Sequence, residues 1–312
     1  MTRPKKWLMQ QKNMRGVLYA LTPAMLWALY VFGWRVMAVV SLTMVTAVIT
    51  EGMFLWRKGR PVSEAALVTG ALLGLSLPQS LPLWMGPVGS IIGIVFGKMV
   101  FGGFGMNPFN PAMVGRAFIY LAFPMEMTTG WTTPLFGGIG ALTRWSADAV
   151  TGPTPLVAVE RTAPPAYSDL FLGLGAGCIG EVARVLLIIG GLYILWKKYA
   201  RWRFVLPTFI SAVVIGGLLW LFNTPNAPDP LYVVLSGGLV FGGFFIVTDP
   251  ISSPKTMPGA IVYGSLIGSV TVLVRVFGSF AEGFMFAVLL GNMVGPVIDW
   301  WVTDRKKPED EI

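Results

Sequence analysis

The sequence contains no histidine and a single cysteine, Cys178. Without histidine, the usual axial ligand of haem, a histidine-based copper or zinc site and a Ser-His triad are all excluded. One cysteine in an apolar run cannot form a disulfide, an iron–sulfur cluster or a zinc cluster from this chain alone. We therefore expect no metal site, and any redox chemistry must depend on another kind of group.

Charged residues are also scarce. Only 12% of the 312 residues are charged, whereas 54% are hydrophobic. Because a soluble domain carries about twice that charged fraction, the sequence predicts an integral membrane protein embedded in a lipid bilayer. The net charge of +8 does not indicate nucleic-acid binding, since the basic residues form short clusters between apolar runs, as membrane topology requires.

Ten apolar runs are long enough, or nearly so, to cross a bilayer, which takes roughly 20 residues in a helix. The predicted fold is therefore an all-α polytopic membrane protein with about ten transmembrane helices. Ten crossings that start inside place most lysines and arginines on one side, so both termini are predicted to be cytoplasmic. The N-terminus has no signal-peptide cleavage pattern and is predicted to be a retained tail. The runs cover about residues 16–34, 35–55, 64–80, 84–104, 111–124, 170–196, 204–222, 231–248, 258–278 and 282–302.

The two halves of the chain share several features in the same order. Arg35 and Arg203 each open a span, Pro78 corresponds to Pro250, and a competing local match between FGGFGMNP and FGGFFIVTDP breaks this register. Five spans per half would invert the second half, as in transporters with a urea-transporter-like fold. The predicted order is a tail (1–15), a five-helix repeat (16–124), an extracytoplasmic loop (125–169), an inverted five-helix repeat (170–302) and a tail (303–312).

Polar and small residues within the spans are candidates for function. Glycines at four-residue spacing, as in Gly89, Gly93 and Gly97, predict close helix packing, although a flat ring could use the same surface. Lys98 lies deep enough to require an anion or a carbonyl as a partner. Glu181 and Arg184 are expected to neutralise each other on one helix. Three further ionisable residues lie at the ends of spans, where their side chains are expected to snorkel to the membrane interface. They are Arg275, Glu282 and Asp299.

The segment FGGFGMNPFNPAMVGR, residues 101–116, combines glycines, asparagines and two prolines at membrane depth. Pro108 and Pro111 keep the residues before them out of a helix. The segment predicts either a simple turn capped by Asn110, or a broken helix whose amide groups face an anionic group or cofactor. In the second case the Thr-Asp-Pro sequence at 248–250 would be its partner in the other half.

The stretch DAVTGPTPL, residues 148–156, lies in the predicted extracytoplasmic loop. Taken alone it predicts a stiff turn, but D-A-V-T-G-P-T resembles the flavinylation motif Asp-x-x-Ser/Thr-Gly-Ala-Thr of bacterial respiratory flavoproteins. The resemblance implies that a dedicated flavin transferase attaches FMN to Thr154 through a phosphodiester bond, with Thr151 as the second candidate. Pro153 replaces the usual alanine. The recognition turn would comprise Asp148, Thr151, Gly152 and Pro155.

Four further segments (TGALLGLSLP, KMVFGGFGMNPFNPAMVGRAF, TDP and AEGFMFAVLLGNMVGPVID) resemble the family of RnfD and NqrB membrane subunits. The resemblance implies a subunit of an ion-translocating ferredoxin:NAD oxidoreductase in a bacterial or archaeal cytoplasmic membrane, coupled to Na⁺ or H⁺ and not catalytic alone. Implied partners are flavin-bearing, iron–sulfur and small membrane subunits. It also suggests a second, non-covalent flavin such as riboflavin, or an ion path, at Lys98, Asn107, Asn110, Arg116 and Asp249.

Three alternatives stay open at this point. The chain could be an NqrB-like subunit of a quinone reductase. It could instead be a solute transporter or channel of urea-transporter-like fold with no redox role, or an inert scaffold in which Pro153 marks a decayed flavinylation motif. No G-x-G-x-x-G pattern in a strand–turn–helix unit is evident in the sequence, so nucleotide binding would belong to partner subunits.

Overall fold

The computed structural model describes residues 7–129, 131, 145, 166–172, 177–225, 227–278 and 282–304. Within these residues helices joined by turns and loops form the fold, and two short strands, β1 (Leu8–Met9) and β2 (Val62–Ser63), pair in parallel. The flavinylation-like motif at 148–154 and the neighbouring Pro155 lie outside the described residues.

In the first half of the chain the structure describes six helices. The fourth continues as a π-helix over Val95–Met99. The helices are α1 (Lys12–Phe32), α2 (Trp34–Trp56), α3 (Glu64–Leu75), α4 (Met85–Ile94), α5 (Pro111–Ala122) and α6 (Pro124–Thr129).

The second half contains seven described helices, and a 3₁₀ turn at Glu181–Ala183 precedes the second of them. They are α7 (Tyr167–Leu172), α8 (Arg184–Trp196), α9 (Trp202–Leu221), α10 (Pro230–Leu235), α11 (Leu239–Phe245), α12 (Met257–Phe277) and α13 (Phe284–Asp304).

Among the described residues, five helices (α1, α2, α9, α12 and α13) are long and apolar enough to cross a membrane. Four shorter apolar helices, α3, α4 with its π-helical extension, α5 and α8, accompany them. The prediction of a multi-pass helical membrane protein is therefore confirmed. The count of ten spans stays a prediction, because the third, sixth and eighth apolar runs are only partly helical.

Local sequence explains two of these interruptions. The third run leaves the helix at Ser76, and Pro78 disfavours helical geometry at the residue before it. The eighth run is divided at Gly237, whose φ of 60° lies in the left-handed region that favours glycine. Both interruptions leave backbone groups at membrane depth that other parts of the protein must satisfy; the N–H of Gly180, for example, donates to the carbonyl of Leu75 at 2.7 Å.

Glycine faces let the helices approach closely. A Cβ atom on Gly93 of α4 would lie 2.3 Å from the carbonyl oxygen of Pro111 in α5, and one on Gly268 of α12 would lie 2.1 Å from the carbonyl oxygen of Thr208 in α9. Real side chains do not fit at such distances. The packing interpretation of the glycine ladders is therefore confirmed.

Candidate functional site

A buried ion pair stands at the end of the fourth apolar helix. The ammonium nitrogen of Lys98 lies 2.6 Å from Glu51 Oε2 and 2.7 Å from Ser63 Oγ. Glu51 also accepts hydrogen bonds from the backbone N–H (3.1 Å) and hydroxyl (2.8 Å) of Ser63. Lys98 is 2% exposed and Glu51 is fully buried. The carboxylate is thus the partner that the depth of Lys98 predicted.

A π-helix and a strand pairing position the side chains around this ion pair. Lys98 lies in the π-helix Val95–Met99, and π-helical turns commonly mark functional sites. Ser63 is fixed by the pairing of β2 with β1. Three glycines with positive φ (Gly102, Gly103 and Gly105) then turn the chain toward the next helix.

Asn110 begins α5 as an N-cap. Its side-chain oxygen accepts hydrogen bonds from the N–H groups of Ala112 (3.1 Å) and Met113 (3.3 Å), and Pro111 occupies the first helical position, where its missing N–H is not needed. The side-chain nitrogen of Asn110 donates to Asp249 Oδ2 at 3.2 Å. The capping interpretation is therefore confirmed, and Asn110 also contacts the Thr-Asp-Pro segment.

Asp249 and Asn292 complete this junction. Asp249 accepts from the N–H of Ile251 at 3.1 Å and from the hydroxyl of Ser252 at 2.9 Å. Asn292 of α13 accepts the N–H of Asn110 at 3.0 Å and donates to the carbonyl of Ser252 at 3.1 Å. One side chain thus ties both segments together.

Four of the predicted site residues line one cavity, which we call the amide cavity. Its empty volume is about 650 Å³, part of it open to solvent. The side-chain oxygen of Asn107 is buried there without a partner among the described residues, although its nitrogen donates to the carbonyl of Phe109. The polar lining includes Lys98, Asn107, Asn110 and Asp249, and the apolar lining includes Met14, Phe104, Tyr199 and Phe245.

Arg116, the fifth predicted residue, is not part of this cavity. It lies six residues beyond Asn110 in α5, about 9 Å along the axis. Its guanidinium forms an ion pair with Glu282 and approaches Cys178 Sγ at 3.3 Å. Glu282 also accepts the N–H of Gly238 at 3.1 Å, and Glu181 accepts the N–H of Cys178 at 3.3 Å.

The expectations for the remaining ionisable residues need correction. Glu282 is 7% exposed and held by Arg116, so its expected snorkelling is wrong. Asp299 is partly exposed near the end of α13 and accepts hydrogen bonds from the N–H and hydroxyl of Thr256. Glu181 and Arg184 form no salt bridge in the described part of the chain. Instead Arg184 donates to the carbonyl of Leu170 at 2.5 Å.

Sequence reasoning overlooked three site residues: Glu51, Ser63 and Asn292. Glu51 is the sole acidic residue in α2, and an isolated carboxylate in an apolar run is a signal that could have identified it. Asn292 is an amide in an apolar helix in the same way. Ser63 carried no signal, because its role depends on strand pairing that no local pattern predicts.

Two described residues anchor the long loop that bears the flavinylation-like motif. Trp131 packs against Cys178. The carbonyl of Trp145 accepts the N–H of Arg35 at 2.7 Å, and Trp145 precedes Asp148 by three residues. The Arg35 side chain meanwhile donates to the carbonyls of Gln79, Ser80 and Leu81. The chain entering the motif therefore lies beside the start of α2.

The comparisons with known proteins cover nearly the whole chain. The model of the NQR2, RnfD, RnfE family matches residues 6–307. A subunit of the Na(+)-translocating ferredoxin:NAD(+) oxidoreductase complex of Acetobacterium woodii is 37% identical, over 94% of this chain and 89% of the relative.

Two further relatives agree. A subunit of the proton-translocating ferredoxin:NAD(+) oxidoreductase complex of Clostridium ljungdahlii is 35% identical, over 92% of this chain and 88% of the relative. A subunit of the ion-translocating oxidoreductase complex of Escherichia coli is 31% identical, over 93% and 92%. Because the match extends almost from end to end at these identities, the chain belongs to the NQR2, RnfD, RnfE family.

Proposed function

We propose that this chain is the membrane subunit of an ion-translocating ferredoxin:NAD oxidoreductase complex, in which it conducts electrons as ions move across the membrane. The observation that carries the proposal is the near end-to-end similarity to single subunits of such complexes. One of these relatives is named for Na⁺ and the other for protons, so the coupling ion is Na⁺ or H⁺. The same similarity favours this function over that of a solute transporter, an inert scaffold or a quinone-reductase component.

In this proposal Thr154 carries FMN, attached by a dedicated transferase that recognises Asp148, Thr151, Gly152 and Pro155. FMN supplies one- and two-electron chemistry to a chain that has no histidine and one cysteine. Thr154 follows Trp145 by nine residues, so it lies within about 30 Å of the carbonyl that α2 holds. That reach keeps an attached flavin close to the helical body.

We place a second, non-covalent flavin such as riboflavin at the amide cavity. Small-ligand sites typically have mostly apolar walls and a few convergent polar groups. Phe104 and Phe245 contribute apolar walls to the amide cavity. The unpaired oxygen of Asn107 is a ready acceptor for an N–H or hydroxyl group of the ligand. Asn110 and Asp249 hold the two broken segments that form the cavity.

The inverted repeat of five-plus-five spans is part of the proposal, and the packing of the helices supports it. In the first half α2 packs against α3 and α4, and α4 packs against α5. In the second half α9 packs against α10, α11 and α12, and α12 packs against α13. Arg35 and Arg203, matched in the sequence, are each the second residue of a helix.

We place the chain in the cytoplasmic membrane of a bacterium or archaeon, with both termini cytoplasmic. Partner subunits would carry the iron–sulfur clusters, the nucleotide site and further flavin, with small membrane subunits beside them. The amide cavity would then face the cytoplasmic half, and Arg116 with its neighbours would face the other half. Electrons moving between the two flavins would follow the axis of α5.

The experiment that tests this proposal compares two threonine variants in the purified complex, produced together with the transferase. We expect Thr154→Val to abolish both covalent flavin fluorescence on a denaturing gel and ferredoxin-dependent NAD⁺ reduction. Thr162→Val, in the same predicted loop but outside the motif, is the matched control and should keep both. A Thr154→Val complex with undiminished turnover would refute the proposal. Solute flux through the isolated chain without any reductant would instead support the transporter alternative.

A further inference from the structure

Six buried or partly buried residues form a second polar centre, which we call the arginine cluster. Arg116 contacts both Glu282 and Cys178, and Glu181 binds the backbone of Cys178. Glu181 also acts electrostatically on two further arginines, which act on each other. The members are Arg116, Cys178, Glu181, Arg184, Arg275 and Glu282.

Several N–H groups of the cluster have no acceptor in the described part of the chain. They are Nε of Arg116, Nε of Arg184, and both Nε and Nη2 of Arg275. Arg184 is 1% exposed, so water does not substitute freely for the missing acceptor. Buried donors are almost always paired in folded proteins. These orphaned donors therefore point to an acceptor that is not a described side chain.

The charges of the cluster show which kind of group that acceptor is. Three guanidiniums face two carboxylates, so the described members carry one surplus positive charge. The thiol of Cys178 and the carboxylates of Glu181 and Glu282 do bring three ligand atoms within 4.8 Å of one another, which in isolation would suit a metal cation. A cation would add to a charge that is already uncompensated, whereas an anion would neutralise it.

We propose that the arginine cluster is an anion-binding site that receives an anionic group of the tethered flavin. The inference rests on the proposed attachment of FMN to Thr154. An FMN phosphoester offers two anionic groups of suitable chemistry: the phosphodiester, which is always charged, and the isoalloxazine ring, which becomes anionic when reduced. Either would accept the free N–H groups of Arg184 and Arg275 and remove the surplus charge.

The loop anchors place the flavin within reach of this site. Trp131, near the start of the loop, packs against Cys178 of the cluster. Leu170, just beyond its end, accepts the hydrogen bond from Arg184. Trp131 and Leu170, one on each side of Thr154 in the sequence, therefore both contact the cluster. Thr154 lies 16 residues before Leu170, far more chain than the connection requires.

The test uses Arg184→Gln and Arg275→Gln in the complete complex, with Arg57→Gln as a matched exposed control. If the ring is the anion, each cluster variant should weaken binding of reduced relative to oxidised flavin at least tenfold, which lowers the two-electron midpoint potential by about 30 mV. If the phosphodiester is the anion, the oxidised flavin should become more accessible to iodide quenching. Arg184→Lys keeps the positive charge, so its midpoint potential and iodide quenching should lie close to those of the wild type.

Unchanged potential and unchanged quenching in both variants, with FMN still attached, would overturn the inference while leaving the proposed function intact. A separate experiment tests the anion site in protein that carries no attached flavin. In the flavin-free Thr154→Val protein, added free FMN should raise the thermal midpoint, neutral riboflavin should do so less, and Arg184→Gln should remove the difference. Equal effects of FMN and riboflavin there would also contradict an anion site.

Discussion

The Lys98–Glu51 pair allows the sharpest test of how the amide cavity is held together. The two side chains are 2% exposed and fully buried, respectively, and their charged atoms lie 2.6 Å apart. Removing one partner of such a pair strands a charge away from water, which costs about 3–5 kcal/mol. We therefore expect Glu51→Gln and Lys98→Met each to destabilise the protein substantially.

The remaining contacts place both variants toward the lower end of that range. Without Lys98, the Glu51 carboxylate keeps two hydrogen bonds from Ser63, at 2.8 and 3.1 Å. Without the Glu51 charge, Lys98 keeps the Ser63 hydroxyl at 2.7 Å and the face of Phe104 at 5.5 Å. Each hydrogen bond to a charged group contributes about 1.5–3 kcal/mol. We expect a loss of about 3 kcal/mol in each single variant.

The double variant Glu51→Gln, Lys98→Met leaves no stranded charge, so it should be about 1–2 kcal/mol more stable than either single variant. Thermal midpoints in detergent at a fixed scan rate measure this order. In soluble domains of 150–250 residues 1 kcal/mol corresponds to roughly 2–4 °C. Lys197→Met, which removes an exposed lysine lying over Trp196, is the control and should have little effect. A double variant less stable than both single variants would refute the reasoning.

Three further predictions concern packing, the cavity and the loop. Gly93→Ala should destabilise the protein strongly, because the added Cβ would lie 2.3 Å from the carbonyl oxygen of Pro111. Gly217→Ala is the control and should have little effect, because the atom nearest to its Cβ lies 3.4 Å away. Equal thermal midpoints of the two variants would contradict the packing. Asn110→Ala and Thr256→Ala each remove a helix N-cap, so each should lower the stability by about 1 kcal/mol. Only Asn110→Ala should also lower the amount of riboflavin that acid extracts from the complex. Equal riboflavin content in the two variants would count against the cavity as the flavin site. The Tyr167 hydroxyl donates to Asp229, and this hydrogen bond raises the pKa of Tyr167 above its ordinary value. Tyr167→Phe should therefore be less stable than the wild type below about pH 10, and the difference in stability should disappear as the pH rises through the raised pKa. A difference that grows in that pH range would refute the contact.

Much of the fold could be predicted from the sequence because apolar runs and proline positions are local signals. The runs at 16–34 and 258–278 became α1 and α12 with shifts of a few residues. The partial helicity of the eighth run was harder to foresee, since Gly237 breaks the helix through a backbone conformation that the apolar composition conceals.

Some residues of the candidate site could likewise be predicted from local signals, whereas others could not. Asn110 could be identified because a residue before proline at a helix start has few other roles, and the Thr-Asp-Pro sequence at 248–250 was predicted as the partner of its segment. Glu51, Ser63 and Asn292 depend on contacts between residues 35 to 182 positions apart in the sequence. Arg116 was grouped with the cavity residues because it is near them in sequence, whereas the 9 Å rise along α5 places it in the arginine cluster.

The most direct test of the central claim is the mass of the tryptic peptide that covers residues 145–161, taken from the complex produced with the flavin transferase. We expect a gain equal to FMN minus water. Fragmentation before Pro153 should place that gain on the part that contains Thr154, because Thr151 and Gly152 then remain on the other fragment. An unmodified peptide from a complex that still reduces NAD⁺ with ferredoxin, or a gain located on Thr151, would contradict the claim.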